Sequence, residues 1–449
     1  MDNFYKKLFF VAFPIIIRTT VSSFSGFIDN LMIGQLGSNA ITAVSVVNQI
    51  LFIFICTITG TIAGASIFSS QYFGIKDYNG VKKVFYIKFT LSIVVFLLYS
   101  LFVYTFYYKL ISLFTISGDV NIKNEVTYSC NQYFLFSFLS LIPFWIANIF
   151  STTISESGDT LKPMMICLLC VILNTFLNYC FINGNLGFPQ MDIYGASLAT
   201  FISRFIEMIL VIILALKTNF FNGFFREIAI DMNLLKDVFK KSIPLFIDEF
   251  LFSFSLVVGI QIYSLRAVDN VTIMSIATIV NAFFINLMVS LGIASEIILG
   301  HELGQNKLEQ ANTYAHRIIK ITILLSVILS FFIYLLSLHI PYFYNVKNIL
   351  QLHTTKCIQV YAYSFVITSL SCVLFFIIRS GGNTLILSLI DGVFIWLVEL
   401  PLEYLLINFT SLDLHTIYFI ILLSAILKIF IGFMFIKNKM WLTNLIKEK

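Results

Sequence analysis

The sequence predicts an all-α membrane protein with twelve transmembrane helices in two homologous six-helix bundles. Three observations lead to this prediction. Of the 449 residues, 59% are apolar and 11% are charged, and the mean hydropathy is +0.93, which excludes the balance of a soluble protein. Long apolar stretches recur along the whole chain, and polar landmarks of the first half reappear in the second.

Twelve apolar stretches are long enough to cross the hydrocarbon core, which takes roughly 20 residues of helix. The predicted spans are 8–33, 44–72, 85–108, 128–152, 161–183, 193–216, 240–265, 270–299, 317–340, 355–378, 384–408 and 413–436. The first stretch has no small-residue cleavage site and exceeds signal-peptide length, so we expect it to be retained. The sequence predicts no soluble domain.

The distribution of Lys and Arg predicts the orientation, because positively charged loops stay in the cytoplasm. The amino terminus, the loops after even-numbered spans and the carboxy-terminal tail hold 20 of these residues, and the opposite loops hold five. Both termini are therefore predicted to be cytoplasmic, in a multi-pass protein of the cell's inner (cytoplasmic) membrane. The net charge of +5 follows from this asymmetry and implies no nucleic-acid partner.

An internal repeat divides the chain into two copies. Pro14 opens the first span as Pro244 opens the seventh, and Gly74 at the end of the second span matches Gly304 at the end of the eighth, each pair being 230 residues apart. Six spans per copy is an even number, so the copies insert with the same orientation and are related by a pseudo-two-fold axis along the membrane normal.

The repeat sets the expected domains. An amino-terminal six-helix lobe is predicted at 1–216, a cytoplasmic inter-lobe linker at 217–239, and a carboxy-terminal six-helix lobe at 240–449. Two such bundles predict a central cleft between them.

Further marks accompany the repeat. The first half contains GFIDNLMIG at 26–34, QYFG at 71–74 and GFP at 187–189, and the second contains Glu249 after its proline and RSGGNT at 379–384. In this order and at these depths, the marks resemble the multidrug and toxic compound extrusion (MATE) family over essentially the whole chain. The resemblance implies a secondary antiporter that exports lipophilic, cationic drugs or toxins in exchange for protons or sodium ions by alternating access. It implies no enzymatic activity and no cofactor, and we expect a monomer.

Asp29 is the leading candidate for ion coupling. A carboxylate inside hydrocarbon costs roughly 2.5 to 3.5 kcal/mol on insertion scales and is a functional candidate by default. Asp29 shares one polar stripe of the first span with Arg18, Ser22 and Ser25, so this face can point into the cleft. A permanent pair with Arg18 is the alternative, but the intervening helix separates the two residues by about 16 Å, which no side-chain pair spans.

By resemblance, Asp29 belongs to the cation site of the amino-terminal lobe together with Asn174, Asn178 and Thr200. The two asparagines lie one turn apart, which suits two oxygen ligands that converge on an ion. The alternative is that their amides join the fifth span to a neighbouring helix. A sodium ion could occupy this site transiently, whereas the Cys and His spacings predict no structural metal.

In the second half, Glu249 is the predicted site for substrate or coupling, because Ser253 continues its stripe one turn later. The adjacent Asp248 points about 100 degrees away and is expected to partner another helix. Asp391 and Glu399, two turns apart on the eleventh span, predict a negative lining for substrate, with packing or hydrogen bonding as the alternative.

One further charged pair favours a structural role. Arg204 and Glu207, three residues apart on the sixth span, predict a local ion pair rather than a substrate site.

The composition also bears on the cargo. The chain contains 49 Phe and 21 Tyr, and aromatic rings that line a cleft hold flat lipophilic cations by dispersion and cation-π attraction. Three other classes compete with this interpretation. A lipid-linked oligosaccharide flippase would need a cationic cleft, a membrane enzyme would need nucleophile or metal motifs, and a channel would not require two repeated lobes.

Overall fold

The computed structural model describes residues 3–114, 120–221, 231–343 and 347–446, and every regular element in these ranges is helical. Its α-helices are α1 (Asn3–Gly34), α2 (Ser38–Gly74), α3 (Tyr78–Phe114), α4 (Val120–Leu139), α5 (Leu141–Glu156), α6 (Leu161–Asn183), α7 (Asp192–Leu216), α8 (Met232–Ser264), α9 (Val268–Gly304), α10 (Leu308–Ser337), α11 (Asn348–Ser380), α12 (Thr384–Ser388), α13 (Leu400–Phe409), α14 (Leu414–Leu423) and α15 (Ala425–Lys437). Short 3₁₀ helices lie at Asn185–Gly187, Asn219–Phe221 and Ile340–Phe343. This architecture follows from the solvent, because hydrocarbon cannot satisfy backbone polar groups and a helix satisfies its own.

Within the described ranges, 12 helical segments are long and apolar enough to cross a membrane. The prediction of an all-α protein with twelve spans is therefore confirmed. The fourth span consists of α4 and α5, the twelfth consists of α14 and α15, and α12 and α13 contribute to the eleventh. Most helices extend beyond the predicted spans, because hydropathy marks only the apolar part of a helix that continues into the polar boundary.

The fourth and eleventh spans each depart from a continuous α-helix. The fourth breaks at Ser140, and Pro143 lies in the first turn of α5, where a proline needs no helical donor. The eleventh contains two π-helical turns, Leu389–Val393 and Ile395–Glu399, between α12 and α13. A π-helical turn displaces backbone amides from the α-helical pattern and frees them for other partners.

The amino-terminal unit consists of residues 13–69 and 77–239. In it, α7 packs against α4, α5 and α6. The Lys88 Nζ lies 2.7 Å from the Glu156 Oε1, and both side chains are at least nine-tenths buried. Ser69 donates a further hydrogen bond to the same carboxylate. A buried ion pair needs such added partners to offset the loss of hydration.

The carboxy-terminal unit consists of residues 1–12, 70–76 and 240–449. Its central helix is α11, which packs against α9, α10, α14 and α15. Near the end of α11, Arg379 forms a two-pronged ion pair with Glu296 of α9, in which the Nε donates to the Oε1 over 3.0 Å. The pair is buried, so its planar geometry fixes how α11 meets α9.

Two repeated glycines make a reciprocal contact inside this unit. A Cβ at Gly74 would lie 2.3 Å from the backbone oxygen of His301, and a Cβ at Gly304 would lie 2.1 Å from that of Gln71. Gln71 and His301 are themselves equivalent positions of the two copies, again 230 residues apart. Only glycine fits at either position without moving a backbone, so the ends of α2 and α9 touch through the same positions of each copy.

The predicted linker at 217–239 is only partly described, since residues 222–230 lie outside the described residues. The helix α8 begins at Met232, inside the predicted linker. The Asp231 Oδ1 accepts hydrogen bonds from the amides of Asn233 and Leu234 over 3.0 and 3.2 Å. This N-terminal cap explains the early start, because it satisfies amides that the first helical turn leaves unpaired.

Candidate functional site

A polar cavity of about 130 Å³ lies between α1, α6 and α7 in the amino-terminal unit. Its volume exceeds the roughly 15 Å³ that one water molecule requires, so a partly hydrated ion fits. The polar side chains that line it are Ser22, Ser25, Asp29, Cys167, Cys170, Asn174, Thr200, Ser203, Arg204 and Glu207.

Hydrogen bonds connect Asp29 to both predicted asparagines. The Asn178 Nδ2 donates to the Asp29 Oδ1 over 2.6 Å and also to the Asn174 Oδ1 over 3.4 Å. The Asn174 Nδ2 in turn donates to the Ser203 Oγ over 3.3 Å. The chain of amides joins α1, α6 and α7, so both asparagines hold helices together, and Asn174 also lines the cavity.

Two oxygen atoms near this chain are suited to a cation or a water molecule. The Asn178 Oδ1 is buried without a hydrogen-bond partner among the described residues. The Thr200 hydroxyl donates to the Ala196 carbonyl over 3.1 Å, which leaves its oxygen lone pairs available as acceptors. The structure therefore brings Asp29, Asn174, Asn178 and Thr200 to one place, and all four offer oxygen atoms.

Arg18 does not pair with Asp29. Its Nη1 donates to the Ser151 Oγ of α5 over 2.7 Å, and it is not among the residues that line the cavity. Ser22, one turn further along the stripe, does line it and contacts the Cys167 Sγ at 3.4 Å. The polar stripe of α1 therefore serves two purposes, with Arg18 joining helices and the later positions forming the cavity wall.

The Arg204–Glu207 pair forms as predicted, with the Arg204 Nη1 2.8 Å from the Glu207 Oε2. The structure also places both side chains in the wall of the Asp29 cavity, which the sequence analysis missed. The signal was present, since Arg204 lies four residues after Thr200 and Glu207 lies four residues after Ser203, on one face of α7.

These groups set the charge of the cavity. Asp29 and Glu207 contribute two carboxylates and Arg204 contributes one guanidinium group, and all three line the same cavity. When both acids are ionised, one negative charge remains. One proton or one monovalent cation neutralises it, and a buried site favours neutrality because uncompensated charge is costly in a medium of low polarity.

A second acidic group of residues lies in the carboxy-terminal unit, and here an internal cation already occupies it. The Lys428 Nζ of α15 lies 2.8 Å from the Asp391 Oδ1 and 2.9 Å from the Glu399 Oε1. The Lys428 side chain is 10% exposed, whereas that of Asp391 is 41% exposed. The Ser424 Oγ also donates to the Glu399 Oε1 over 3.3 Å. Lys428 thus holds the two acids of the eleventh span against the twelfth.

The sequence analysis missed Lys428. It is the only charged residue in the predicted twelfth span at 413–436 after Asp413 at the start of that span. A lone lysine inside an apolar helix is rare and requires a partner. This rule would have directed attention to the acids of a neighbouring span.

Asp248 and Glu249 have different surroundings. The Asp248 Oδ1 accepts a hydrogen bond from the Gly392 amide over 2.7 Å, and Gly392 lies in the first π-helical turn. A Cβ at Gly392 would lie 2.6 Å from that oxygen, so glycine is required there. Glu249 is half-buried and interacts electrostatically with Arg379 and Asp391. Asp248 therefore joins two helices, and Glu249 is the more accessible acid.

The part of the chain that the structure describes contains no group of three or more His, Cys, Asp or Glu side chains able to hold a metal ion.

Known proteins resemble this chain in sequence. The MatE family model matches residues 14–180 and 244–405, which are the two copies of the repeat. A relative from Halalkalibacterium halodurans, named probable multidrug resistance protein NorM, is 23% identical over 418 residues, which cover 90% of this chain and 88% of the relative. A protein of the same name from Listeria innocua is 27% identical over 417 residues, covering 90% and 88%.

Solved structures agree with this fold. An outward-facing multidrug resistance MATE family transporter of the MOP superfamily matches with a TM-score of 0.87 at 16% identity, over 97% of this chain and 95% of that one. A MOP superfamily transporter from Pyrococcus furiosus, described as having a binding pocket of reverse polarity that suggests a different function, matches with a TM-score of 0.84 at 16% identity, over 97% and 95%.

The family model covers well over half of the chain and both copies of the repeat, so the prediction from the sequence marks is confirmed, and this twelve-span protein belongs to the MatE family of membrane transporters.

Proposed function

We propose that this transporter is a secondary antiporter that exports lipophilic organic cations in exchange for protons or sodium ions. The observation that carries the proposal is the single uncompensated negative charge of the Asp29 cavity. One coupling cation neutralises this charge, and release of that cation restores it. A site whose charge changes by one unit per cycle is what exchange of a monovalent ion for a cationic cargo requires.

In this proposal Asp29 carries the coupling charge. Asn174, Asn178 and Thr200 supply neutral oxygen atoms, and the amide chain keeps the carboxylate in place. Arg204 compensates Glu207 rather than Asp29, since the guanidinium group donates directly to Glu207. Asp29 therefore remains the acid that a mobile cation neutralises.

The fold alone does not determine the charge of the cargo, so this part of the proposal rests on the charged residues of the spans. The same fold includes a transporter described as having a pocket of reverse polarity, so fold alone does not choose between cationic and anionic cargo. Here the spans contain Asp29, Asp248, Glu249 and Glu403 without a direct ion pair among the described residues. This acidic excess, together with the aromatic content, favours a lipophilic cation over the acidic cargo of a lipid-linked oligosaccharide flippase. The relatives named as probable multidrug resistance proteins support cargo of broad chemical range.

The second lobe contributes to cargo binding or coupling through Glu249, Asp391 and Glu399 in this proposal. Asp391 is the more exposed of the two acids at Lys428 and faces cargo, whereas Glu399 fixes the lysine. Glu249 acts as a charged group near them. In this proposal the lobes at 1–216 and 240–449 are joined by the linker at 217–239, and the protein works as a monomer.

The test of the proposal is the substitution Asp29→Asn, which keeps size and hydrogen bonding but cannot cycle between charged and neutral forms. We expect drug-induced proton or sodium counterflow in proteoliposomes to be lost, while expression and folding stay normal because removal of an intramembrane charge eases insertion. Asp159→Asn is the matched control, since Asp159 lies outside the predicted spans and pairs with Lys162. Undiminished counterflow in Asp29→Asn would mean that another group carries the coupling ion.

A second substitution tests the role of Glu249. We expect Glu249→Gln, at normal expression, to slow export of at least one cationic cargo several-fold, because it removes a charge of the second lobe. If every tested cation leaves the cell at the original rate, Glu249 has no part in transport.

We further propose that both termini are cytoplasmic. In a cysteine-free background, an impermeant thiol reagent applied to intact cells should label Gln190→Cys and spare Lys217→Cys. Both positions are exposed, so the opposite pattern would reverse the orientation.

A further inference from the structure

The carboxy-terminal unit contains a buried acid that the ion pairs described above do not use. Glu403 of α13 is only 5% exposed, and its carboxyl group packs against α8, where a Cβ on Gly259 would lie 3.8 Å from each carboxylate oxygen. It lies four residues after Glu399, about one helical turn away. Unlike Glu399, it has no Lys or Arg partner within the described part of the chain.

The polar groups around Glu403 come from four other helices. The Tyr263 hydroxyl of α8 is a neighbour that interacts with the carboxyl group. Tyr418 of α14 lies close enough to interact electrostatically with Glu403, and its hydroxyl accepts a hydrogen bond from the Asn281 amide of α9. Tyr361 of α11 donates to the Asn281 backbone carbonyl over 3.1 Å. These side chains are at least nine-tenths buried.

The titratable groups that face this network are few. They are the hydroxyls of Tyr263 and Tyr418, the thiol of Cys357 on α11 and the carboxylate of Glu399. All of these are neutral or negative at neutral pH. Within the described residues, no permanent positive charge is therefore in direct contact with an ionised Glu403.

Two oxygen atoms of the network have no donor. The Glu403 Oε1 and the Asn281 Oδ1 are both buried without a hydrogen-bond partner among the described residues. An ionised carboxylate only accepts hydrogen bonds, whereas a protonated carboxyl group also donates one. A proton on Glu403 removes the uncompensated charge, which is the main cost of burying this acid.

We propose that Glu403, with Tyr263, Tyr418 and Asn281, forms a second proton-binding site, separate from the Asp29 cavity. The carboxyl group takes up one proton while the network is closed, and it releases the proton when rearrangement of α8 or α13 admits water to the Oε1. The inference rests on the proposed antiport function for its role in transport. The binding of the proton itself does not depend on that function.

Infrared spectroscopy of the full-length protein in lipid nanodiscs tests the site directly, because a protonated carboxylic acid has a carbonyl stretching band that a carboxylate lacks. We expect a band at neutral pH that disappears in Glu403→Gln. Tyr263→Phe should move the same band to a new frequency, since it removes the neighbouring hydroxyl but leaves the acid. Glu399→Gln is the matched control one turn away, and it should leave the band unchanged because Glu399, unlike Glu403, already has a direct cationic partner in Lys428.

The outcomes separate the site from the transport proposal. A band that survives Glu403→Gln and does not move in Tyr263→Phe would overturn the site. A band lost when sodium replaces potassium at constant pH would also overturn it, because that result would indicate a metal cation as ligand. If Glu403→Gln fails to fold, the Tyr263→Phe shift alone decides. The same spectra recorded for Asp29→Asn should retain the band. If Asp29→Asn loses counterflow but keeps the band, the transport defect belongs to Asp29 and the Glu403 site is unaffected.

Discussion

Two groups of membrane-embedded acids in this transporter, one in each half, differ in how closely a cation contacts them. In the amino-terminal unit, Asp29 accepts a hydrogen bond from the neutral Asn178 amide at 2.6 Å, and one negative charge of its cavity is left over. In the carboxy-terminal unit, Lys428 lies within 2.9 Å of both Asp391 and Glu399. Each group has two carboxylates and one internal cation, but Asp29 has no direct ion pair among the described residues, whereas Asp391 and Glu399 both contact Lys428.

The difference shows that an intramembrane carboxylate is not by itself evidence of ion coupling. All three acids satisfy the same sequence criterion, a costly charge inside hydrocarbon. What separates them is the nearest cation, and only the packing of neighbouring helices decides whether one is present. We therefore expect that a cation added beside Asp29 changes transport, and that removal of Lys428 destabilises the acids of the second half.

The largest expected effect comes from giving the first half an internal cation of its own. In Thr200→Lys, an ammonium group enters the cavity wall beside Asp29 and should form an ion pair with it, as Lys428 does with the acids of the second half. Gradient-driven efflux of ethidium should fall to the background of an exporter-deficient strain. Thr200→Met is the control, because it adds similar length without charge and should keep a measurable part of the export. Equal efflux in the two variants would contradict the comparison.

A smaller effect is expected when the second half loses its cation. Lys428→Met leaves Asp391 and Glu399 without a positive partner, and we expect a loss of about 3 kcal/mol in the free energy of unfolding, seen as a lower melting temperature in detergent. Lys437→Met, at the exposed end of α15, should melt like the wild type. Adding Asp391→Asn and Glu399→Gln to Lys428→Met should restore most of the stability. A Lys428→Met protein as stable as the wild type would mean that the lysine is not needed for neutrality.

The smallest effect concerns neutral hydrogen-bond donors in the two halves. Asn178→Leu removes the donor to Asp29 and should cost about 2 kcal/mol, since a bond to a charged group is involved. Ser424→Ala removes a donor to Glu399 over 3.3 Å, and we expect less than about 1 kcal/mol because Lys428 still compensates that acid. Thermal unfolding of both variants, with exposed Asn183→Leu on α6 as a control, checks the order. The reverse order would mean that the Asp29 cavity does not depend on its amide.

The features most predictable from the sequence are those that depend on residues close together along the chain. Twelve apolar runs predict twelve spans, because the hydrocarbon imposes the helix on each run separately. The Arg204–Glu207 pair is predictable because it lies within one helical turn. The predicted boundaries are less accurate, as the start of α8 at Met232 shows, since a cap such as Asp231 is not visible to hydropathy.

Contacts between distant spans could not be predicted in the same way. Lys428 and Asp391 meet because α15 and the π-helical part of the eleventh span are rotated toward each other, and hydropathy does not determine rotation about a helix axis. The bond from the Gly392 amide to Asp248 depends on an amide that the π-helical turn frees. The glycine was the one sign of that turn in the sequence.

The reciprocal contact of Gly74 and Gly304 has an evolutionary consequence. After a gene duplication, two copies are usually free to accumulate changes separately. Here Gly74 of the first copy packs on the backbone of His301, and Gly304 of the second copy packs on the backbone of Gln71. A side chain gained by either copy would press on the other, so these positions must be inherited as a pair.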